Sequence, residues 1–298
     1  MGASLGLIQW TEGTTGADLV THAQRLEALG YEELWLPEVF GREPLATCGY
    51  LLAKTNKINI SAGIANVYVR DADCAAQARN CLSELSGGRF RLGLGVSHPV
   101  LIEPRGHSWS KPVPKMRSYL DRIREAPIES PKAAHSAPII VAGHGKGLVK
   151  VARDHADGSF LFLQPVEAIH MAREILGPDK EIHAAVRCVL DPDPVSARDL
   201  ARRACAFYIS LPAYQARWGE LGYDDSDWAD GGSDRLIDAI CAWGDGPGLK
   251  QKLAQFEEAG ATHIVLYPCN PDEAYRPDSA VSKDWHWSLL EAMAPAHA

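Results

Sequence analysis

Four stretches of the chain share one succession of polar, glycine and apolar positions: EALGYEELWLPE (27–38), ELSGGRFRLGLG (84–95), DHADGSFLFLQP (154–165) and EEAGATHIVLYP (257–268). In each, a helical pattern stops at a glycine suited to a left-handed cap, and an unbroken apolar run begins within a few residues. Runs that are apolar on both faces belong to the strands of a parallel sheet covered by helices. Further strands fit 5–9, 58–66, 139–142 and 182–190, which brings the count to eight. Helices fit 16–29, 43–55, 72–85, 113–125, 146–154, 166–175 and 195–210. In the third of these, Cys74, Ala75, Ala78, Cys81, Leu82 and Leu85 form a stripe of 3.6-residue period, the expected buried face. The pattern predicts an α/β fold, a (β/α)8 TIM barrel, as one domain over 1–298 with an insertion between strands seven and eight.

The insertion shows as excess length. About 70 residues separate strand seven from the strand at 262–267, more than one crossover helix needs, which places the added segment at about 212–260. It carries the acidic, turn-rich WGELGYDDSDWADGGSDRL and then helix-like runs near 233–243 and 247–259. A calcium loop is excluded by spacing, because Ala229 and Asp230 stand where the EF-hand pattern needs Asp or Asn and then Gly. Ser233 reads instead as a helix N-cap.

Composition narrows the function classes. A chain of 298 residues buries about 75% of its unfolded surface and needs neither disulfides nor metals to fold. A net charge of -8 and a pI near 5.8 oppose binding to phosphodiester backbones, so nucleic acid is not an expected partner. The seven cysteines include no CxxC pair and no zinc-finger spacing, which predicts reduced core thiols and no metal. MGASLGLIQW has no signal-peptide pattern, and no apolar stretch approaches about 18 residues, so a soluble, cytoplasmic protein is expected. The MGASLG start matches a myristoylation pattern, but residues 5–9 read as a buried strand.

Active sites of such barrels lie at the C-terminal ends of the strands. That rule selects Gln9, Trp10, Glu38, Asn66, Ser97, His98, Gly143 to Gly147, Gln164, Arg187 and Tyr267. SGGRFRLGLGVSHP (86–99) suggests a dinucleotide fingerprint at first, yet His98 and Pro99 follow the glycines and the next helical pattern waits until about residue 113. Gly93 and Gly95 therefore mark a place where a flat ring or a neighbouring strand comes close to the backbone. PIIVAGHGKGLVKVA (138–152) runs strand, glycine turn, helix. It either binds a phosphate on unpaired N–H groups beside Lys146 or is a plain glycine-rich turn; it is not a Walker A loop. Glu38 is an acid, a base or a hydrogen-bond anchor, and His98 and His144 are candidate proton carriers. No Ser-His-Asp order or GxSxG elbow supports a hydrolase.

Together, ALGYEELWLPE, TNKINISAGIANVYVRDA, LSGGRFRLGLGVSHP and PIIVAGHGKGLVKVARDHADG resemble the bacterial-luciferase-like superfamily, and within it the oxidoreductases that use coenzyme F420. AFYISLPAYQARWGELGY and EEAGATHIVLYP extend the likeness towards the end of the chain. The resemblance implies a cofactor lying across the barrel mouth, bound by Gly63, Ile64, Asn66, Gly95, Ser97, Gly143, His144, Gly145, Lys146 and Gly147. It also implies a bulged third strand with a non-prolyl cis peptide at Gly63–Ile64. Glu38 and His98 are the expected catalytic residues. The histidine that several relatives carry after the strand-two acid is replaced by Val39, so its role does not carry over. The expected activity is hydride transfer between the deazaflavin C5 and a small organic molecule. An FMN-dependent monooxygenase, a non-catalytic ligand-binding barrel and, less favoured, a TIM-barrel phosphosugar enzyme are the alternatives. The resemblance leaves room for a homodimer.

Overall fold

A computed structural model describes residues 2–273, 275 and 284–295. The first elements are β1 (Ser4–Ile8), α1 (Gly16–Ala28), β2 (Glu33–Leu36), α2 (Pro44–Leu52), β3 (Asn59–Asn66), α3 (Ala72–Ser86) and β4 (Phe90–Gly95). There follow α4 (Pro99–Ile102), α5 (Pro112–Glu125), β5 (Ile139–Ala142), α6 (Lys146–His155), β6 (Gly158–Phe162), α7 (Val166–Leu176) and β7 (Glu181–Leu190). The remainder forms α8 (Pro194–Ile209), α9 (Pro212–Gly219), α10 (Asp225–Trp228), α11 (Asp234–Ile240), β8 (Cys241–Gly244), α12 (Gly246–Glu258), β9 (His263–Pro268) and α13 (Trp287–Met293).

Strands β1 to β7 and β9 run parallel, each bonded to the next, and β9 bonds to both β7 and β1. The sheet therefore closes into the eight-stranded TIM barrel that the apolar runs predict. Its lumen is filled by Ile8, Trp10, Trp35, Ile140, Phe160, Ala185, Val265 and Tyr267, and the larger core lies between strands and helices. No helix among the described residues is long and apolar enough to cross a membrane.

Local chemistry explains where the sequence pattern holds and where it does not. Gly30, Gly87 and Gly260 take φ of 84°, 66° and 110°, the left-handed caps expected of three junctions. Gly158 is different: it opens β6, and a Cβ there would sit 2.5 Å from the Glu181 carbonyl oxygen, so its glycine serves a close strand approach. Helix α3 buries Ala72, Ala75, Ala76, Leu82 and Ser83, while Cys74, Cys81 and Leu85 are exposed. The expected stripe had merged two faces, because Cys74, Cys81 and Leu85 recur at helical spacing on the outer side. All seven cysteines are free and five are buried.

The insertion contains a strand that periodicity missed. Residues 241–244 extend the edge of β7 from Arg187 to Leu190, beyond the point where β6 stops pairing at Ala185. A four-residue apolar run cannot be told from the end of the preceding helix by period alone, so the reading of a helix near 233–243 stops at Ile240 instead. Ser233 caps α11 as expected, its side chain accepting from the Leu236 N–H. A second departure is α4, which starts directly after His98 with Pro99 in its first turn, well before residue 113.

The floor of the barrel, at the N-terminal ends of the strands, is a buried charge network. The His183 Nε2 lies 2.9 Å from Glu181 and its Nδ1 3.5 Å from Glu33, while Arg91 spans both carboxylates at 3.4 Å. The Ser61 hydroxyl donates to Glu33 over 2.7 Å, and the His263 ring stacks on His183 at 4.0 Å. Burial opposes a charge on His183, but the two carboxylates outweigh it and raise its pKa. Burial and the positive His183 push His263 down to about 4. Glu33, His183 and His263 also bring ligand-type atoms within 4.8 Å of one another, a grouping drawn from three strands that no spacing announces.

Candidate active site

The C-terminal mouth begins with a disruption of β3. Its pairing with β4 slips between Ala62 and Ala65, and the Gly63–Ile64 peptide is cis, at the position that the SAGIAN motif indicates. Gly63 leaves no room for a side chain, since a Cβ would meet Trp35 at 2.6 Å. Ile64 lies across β4: a Cβ on Gly93 would fall 2.2 Å from the Ala62 carbonyl, and one on Gly95 2.2 Å from the Ile64 side chain. Of the two explanations for these glycines, the neighbouring strand is therefore the one that applies.

Glu38 locks the end of this ledge. Its carboxylate takes a bidentate pair from Arg70 at 2.8 and 2.6 Å and accepts the Asn66 N–H at 2.7 Å, with the side chain buried. Arg70 reaches Glu43 as well, at 2.6 Å, and the Tyr119 hydroxyl donates to the Arg70 carbonyl. Both carboxylate oxygens are thus engaged, the geometry expected of the hydrogen-bond anchor among the three roles left open by the sequence. Arg70 stands within the quoted NVYVRDA motif, but nothing local identifies its partner.

On the far side of β4, Ser97 holds a positive φ of 60° and turns the chain so that His98 starts α4. Burial lowers the pKa of His98, leaving a neutral imidazole at pH 7. Its ring lies 6.0 Å from Tyr214, and His144 lies 4.8 Å from the other end of the same contact, with Nε2 3.2 Å from the Tyr214 hydroxyl. Burial, then the charges of His98 and Arg217, drive His144 down to about 3. Gly143, Gly145 and Gly147 form the turn from β5 into α6, which has no side-chain cap at its N-cap Gly145; Lys146 is exposed at its start. A Cβ on Gly145 meets nothing within 4 Å, so the space above the turn is open.

Aromatic side chains complete the mouth. Trp10 donates to the Tyr267 hydroxyl, the Arg187 guanidinium stacks on the Tyr267 ring at 3.5 Å, and Phe162 packs edge-on to Tyr208 at 4.8 Å. Gln164 is tied to the carbonyls of Phe162 and Leu163, and Gln9 to that of Trp10. Tyr208, Tyr214 and Arg217 come from α8 and α9 and were not singled out by the sequence. Their only signal was the quoted AFYISLPAYQARWGELGY block, whose place in the barrel is set by tertiary packing alone.

Residues 6–263 match the family described as luciferase-like monooxygenase. The chain is 26% identical over 295 residues to a 5,10-methylenetetrahydromethanopterin reductase of Methanolobus tindarius, covering 85% of this chain and 90% of that one. It is 29% identical over 141 residues to a putative coenzyme F420-dependent oxidoreductase of Mycobacterium tuberculosis, covering 44% of this chain and 40% of that one. The solved structure of the coenzyme F420 dependent tetrahydromethanopterin reductase from Methanopyrus kandleri superposes with a TM-score of 0.73 at 17% identity, over 94% of this chain and 99% of that one. With the bulged third strand and the β5–α6 turn in the places the motifs indicate, this chain belongs to the luciferase-like monooxygenase family.

Proposed function

We propose that the chain is a coenzyme F420-dependent oxidoreductase that moves a hydride between the deazaflavin C5 and a small organic substrate. Membership of the family and the reductases among its relatives support this reading. The observation that carries it is an uncapped helix N-terminus, that of α6, together with buried atoms that have no hydrogen-bond partner among the described residues, His144 Nδ1 and Arg217 Nε and Nη2. A buried guanidinium with two idle N–H groups and the positive end of a helix suit a phosphate.

In this reading Gly143, His144, Gly145, Lys146 and Gly147 hold the cofactor phosphate, while Gly63, Ile64, Asn66, Gly95 and Ser97 shape the ledge against which the ring lies. Bound there, the deazaflavin would donate or accept the hydride. Glu38 positions the ledge through Asn66 and Arg70. His98, neutral at pH 7, accepts a proton from the substrate when one must leave. Trp10, Phe162, Tyr208 and Tyr267 give the substrate an apolar wall. The outer face of α3, with Cys74, Cys81 and Leu85 exposed, supports a homodimer.

Fluorescence titration of the protein with coenzyme F420 and, in parallel, with flavin mononucleotide tests the assignment. Saturable micromolar binding of the deazaflavin in preference to the flavin is expected. A preference for the flavin would transfer the protein to the monooxygenases, and binding of neither would leave a non-catalytic barrel. Gly145→Asp is expected to weaken the deazaflavin complex at least tenfold by setting a like charge against the phosphate. Its melting temperature should stay within a degree or two of the native protein, because φ of -92° suits any residue and the space is open. Unchanged affinity would remove the phosphate from this turn.

Glu38→Gln separates anchoring from proton transfer. An anchor predicts turnover at least tenfold lower with the pH profile unaltered in shape. Loss of one limb of that profile would make Glu38 the proton carrier.

A further inference from the structure

Helix α9 belongs to the insertion, yet it is fastened to the barrel mouth. The Trp218 Nε1–H donates to the Leu163 carbonyl at 3.1 Å, at the end of β6, and Tyr214 packs on His144. Arg217 is 4% exposed, which buries a guanidinium on the same helix. One of its nitrogens, Nη1, pairs with Glu220, whose side chain is 59% exposed; Nε and Nη2 have no partner among the described residues. Arg217 stands three residues after Tyr214 on α9 and so shares the face that Tyr214 packs against His144, at the β5–α6 turn; its charge helps to depress the His144 imidazole.

A buried guanidinium with two idle N–H groups is costly unless an acceptor arrives. The turn also offers the uncapped start of α6 and Lys146 at the rim, both of positive character, and the Tyr214 hydroxyl and neutral His144 imidazole, each of which can donate or accept. Among the described residues Glu220 is the one acidic group paired with Arg217, and it occupies Nη1 only. Two free guanidinium N–H groups facing a helix N-terminus suit an oxyanion.

We propose that Arg217 is the second half of the anion site, a guanidinium on the insertion helix that closes over the phosphate held at the start of α6. This rests on the function proposed above and assigns the insertion a role within it: α9 clamps the ligand from the face opposite the helix terminus. Arg217 is a specificity-determining residue for phosphate-bearing ligands, and the exposed Glu220 competes with them for it.

The test compares the phosphate-bearing coenzyme F420 with the deazaflavin ribitol chromophore that lacks the phosphate, by fluorescence titration of the whole chain without substrate. Arg217→Met should weaken the phosphate-bearing ligand at least tenfold and the phosphate-free one less than twofold. Glu220→Gln, a surface change, should bind the phosphate-bearing ligand more tightly and serves as the second variant if Arg217→Met folds poorly. In a third arm, inorganic phosphate should raise the melting temperature of the native protein and not that of Arg217→Met. Loss of that effect with cofactor affinity intact would place a substrate oxyanion, not the cofactor, on Arg217, and would overturn the clamp on the cofactor. Equal weakening of both chromophores, or no change in either and an unaltered phosphate effect, would make Arg217 a structural partner of Glu220. If the native protein binds neither chromophore, the proposed cofactor fails, and with it the clamp on that cofactor.

Discussion

One methyl group added at Gly93 is expected to cost the fold about 3 kcal/mol, the upper end of what overpacking a core usually costs. The reason is what the methyl would meet. The first obstacle is a backbone atom, the Ala62 carbonyl oxygen at 2.2 Å, and behind it stand Ile64 Cγ2 at 2.8 Å and Trp35 Cζ3 at 2.9 Å. A flexible side-chain tip could swing away, but the carbonyl is fixed by the slipped pairing of β3 on β4, and Trp35 is fully buried. Relief therefore requires β3 to move as a unit, which would carry Ile64 and Asn66 out of line with the Glu38 anchor. Gly93→Ala should accordingly show both a lower urea midpoint and weaker deazaflavin binding. Gly145→Ala is the matched control: with open space and a φ any residue adopts, it should change stability by well under 1 kcal/mol or raise it slightly. A Gly93→Ala protein within about 1 kcal/mol of the native one would show that the ledge yields, and its rigid support of a ring would fall with it.

Gly93 also shows what the sequence carries and what it leaves out. The doubled glycine in RLGLG signals a close approach, but whether the intruder is a ligand or a strand depends on a residue 29 positions upstream, Ile64, and a single sequence does not pair the two. The helix–glycine–strand rhythm announces the barrel because each unit is local: a cap, a turn and an apolar run within a dozen residues. The same rhythm misleads at Gly158, where the need for glycine comes from Glu181 on the next strand, and at α3, where two apolar faces share one helix. The β5–α6 turn was legible as a strand–glycine–helix junction because all its parts are consecutive. Arg217 was not, since only the folding of the insertion back onto Leu163 and His144 gives it that neighbourhood. Glu38 was legible as a carboxylate at a strand end, while its bidentate pairing depends on Arg70, 32 residues away.

The barrel floor depends still more on tertiary folding, and His183→Gln is expected to destabilise the protein by about 3–5 kcal/mol at pH 7, the range for breaking a buried ion pair by removing one partner. Glu33 and Glu181 would lose the cation between them, with Arg91 left to serve both from 3.4 Å. The pH dependence gives the prediction its signature. Burial tends to raise the Glu181 pKa, but His183 first and then Arg91 lower it to about 2, below the ordinary 4.5. A carboxyl depressed in this way contributes stability that is complete above pH 4.5 and lost as the pH falls through 2. His183, raised above 6.5, contributes stability that is complete below 6.5 and lost as the pH rises through its folded value. The native protein should thus be most stable between these limits. In His183→Gln the carboxylates are no longer held charged by an imidazolium, so they protonate at higher pH. The gap between native and variant proteins should narrow as the pH falls from about 6, where the His183 contribution is complete, towards 4. Urea unfolding of both proteins across that interval measures it. A gap below 1 kcal/mol at pH 7, or one that stays constant down to pH 4, would mean that His183 is neutral in the fold and that the floor is held by Arg91. Because this network lies at the end of the barrel opposite the mouth, the folded fraction of the variant should bind deazaflavin with native affinity. A fall in that affinity would reveal that the floor sets the position of β2 and β3 all the way to the ledge, through Ser61 and Trp35.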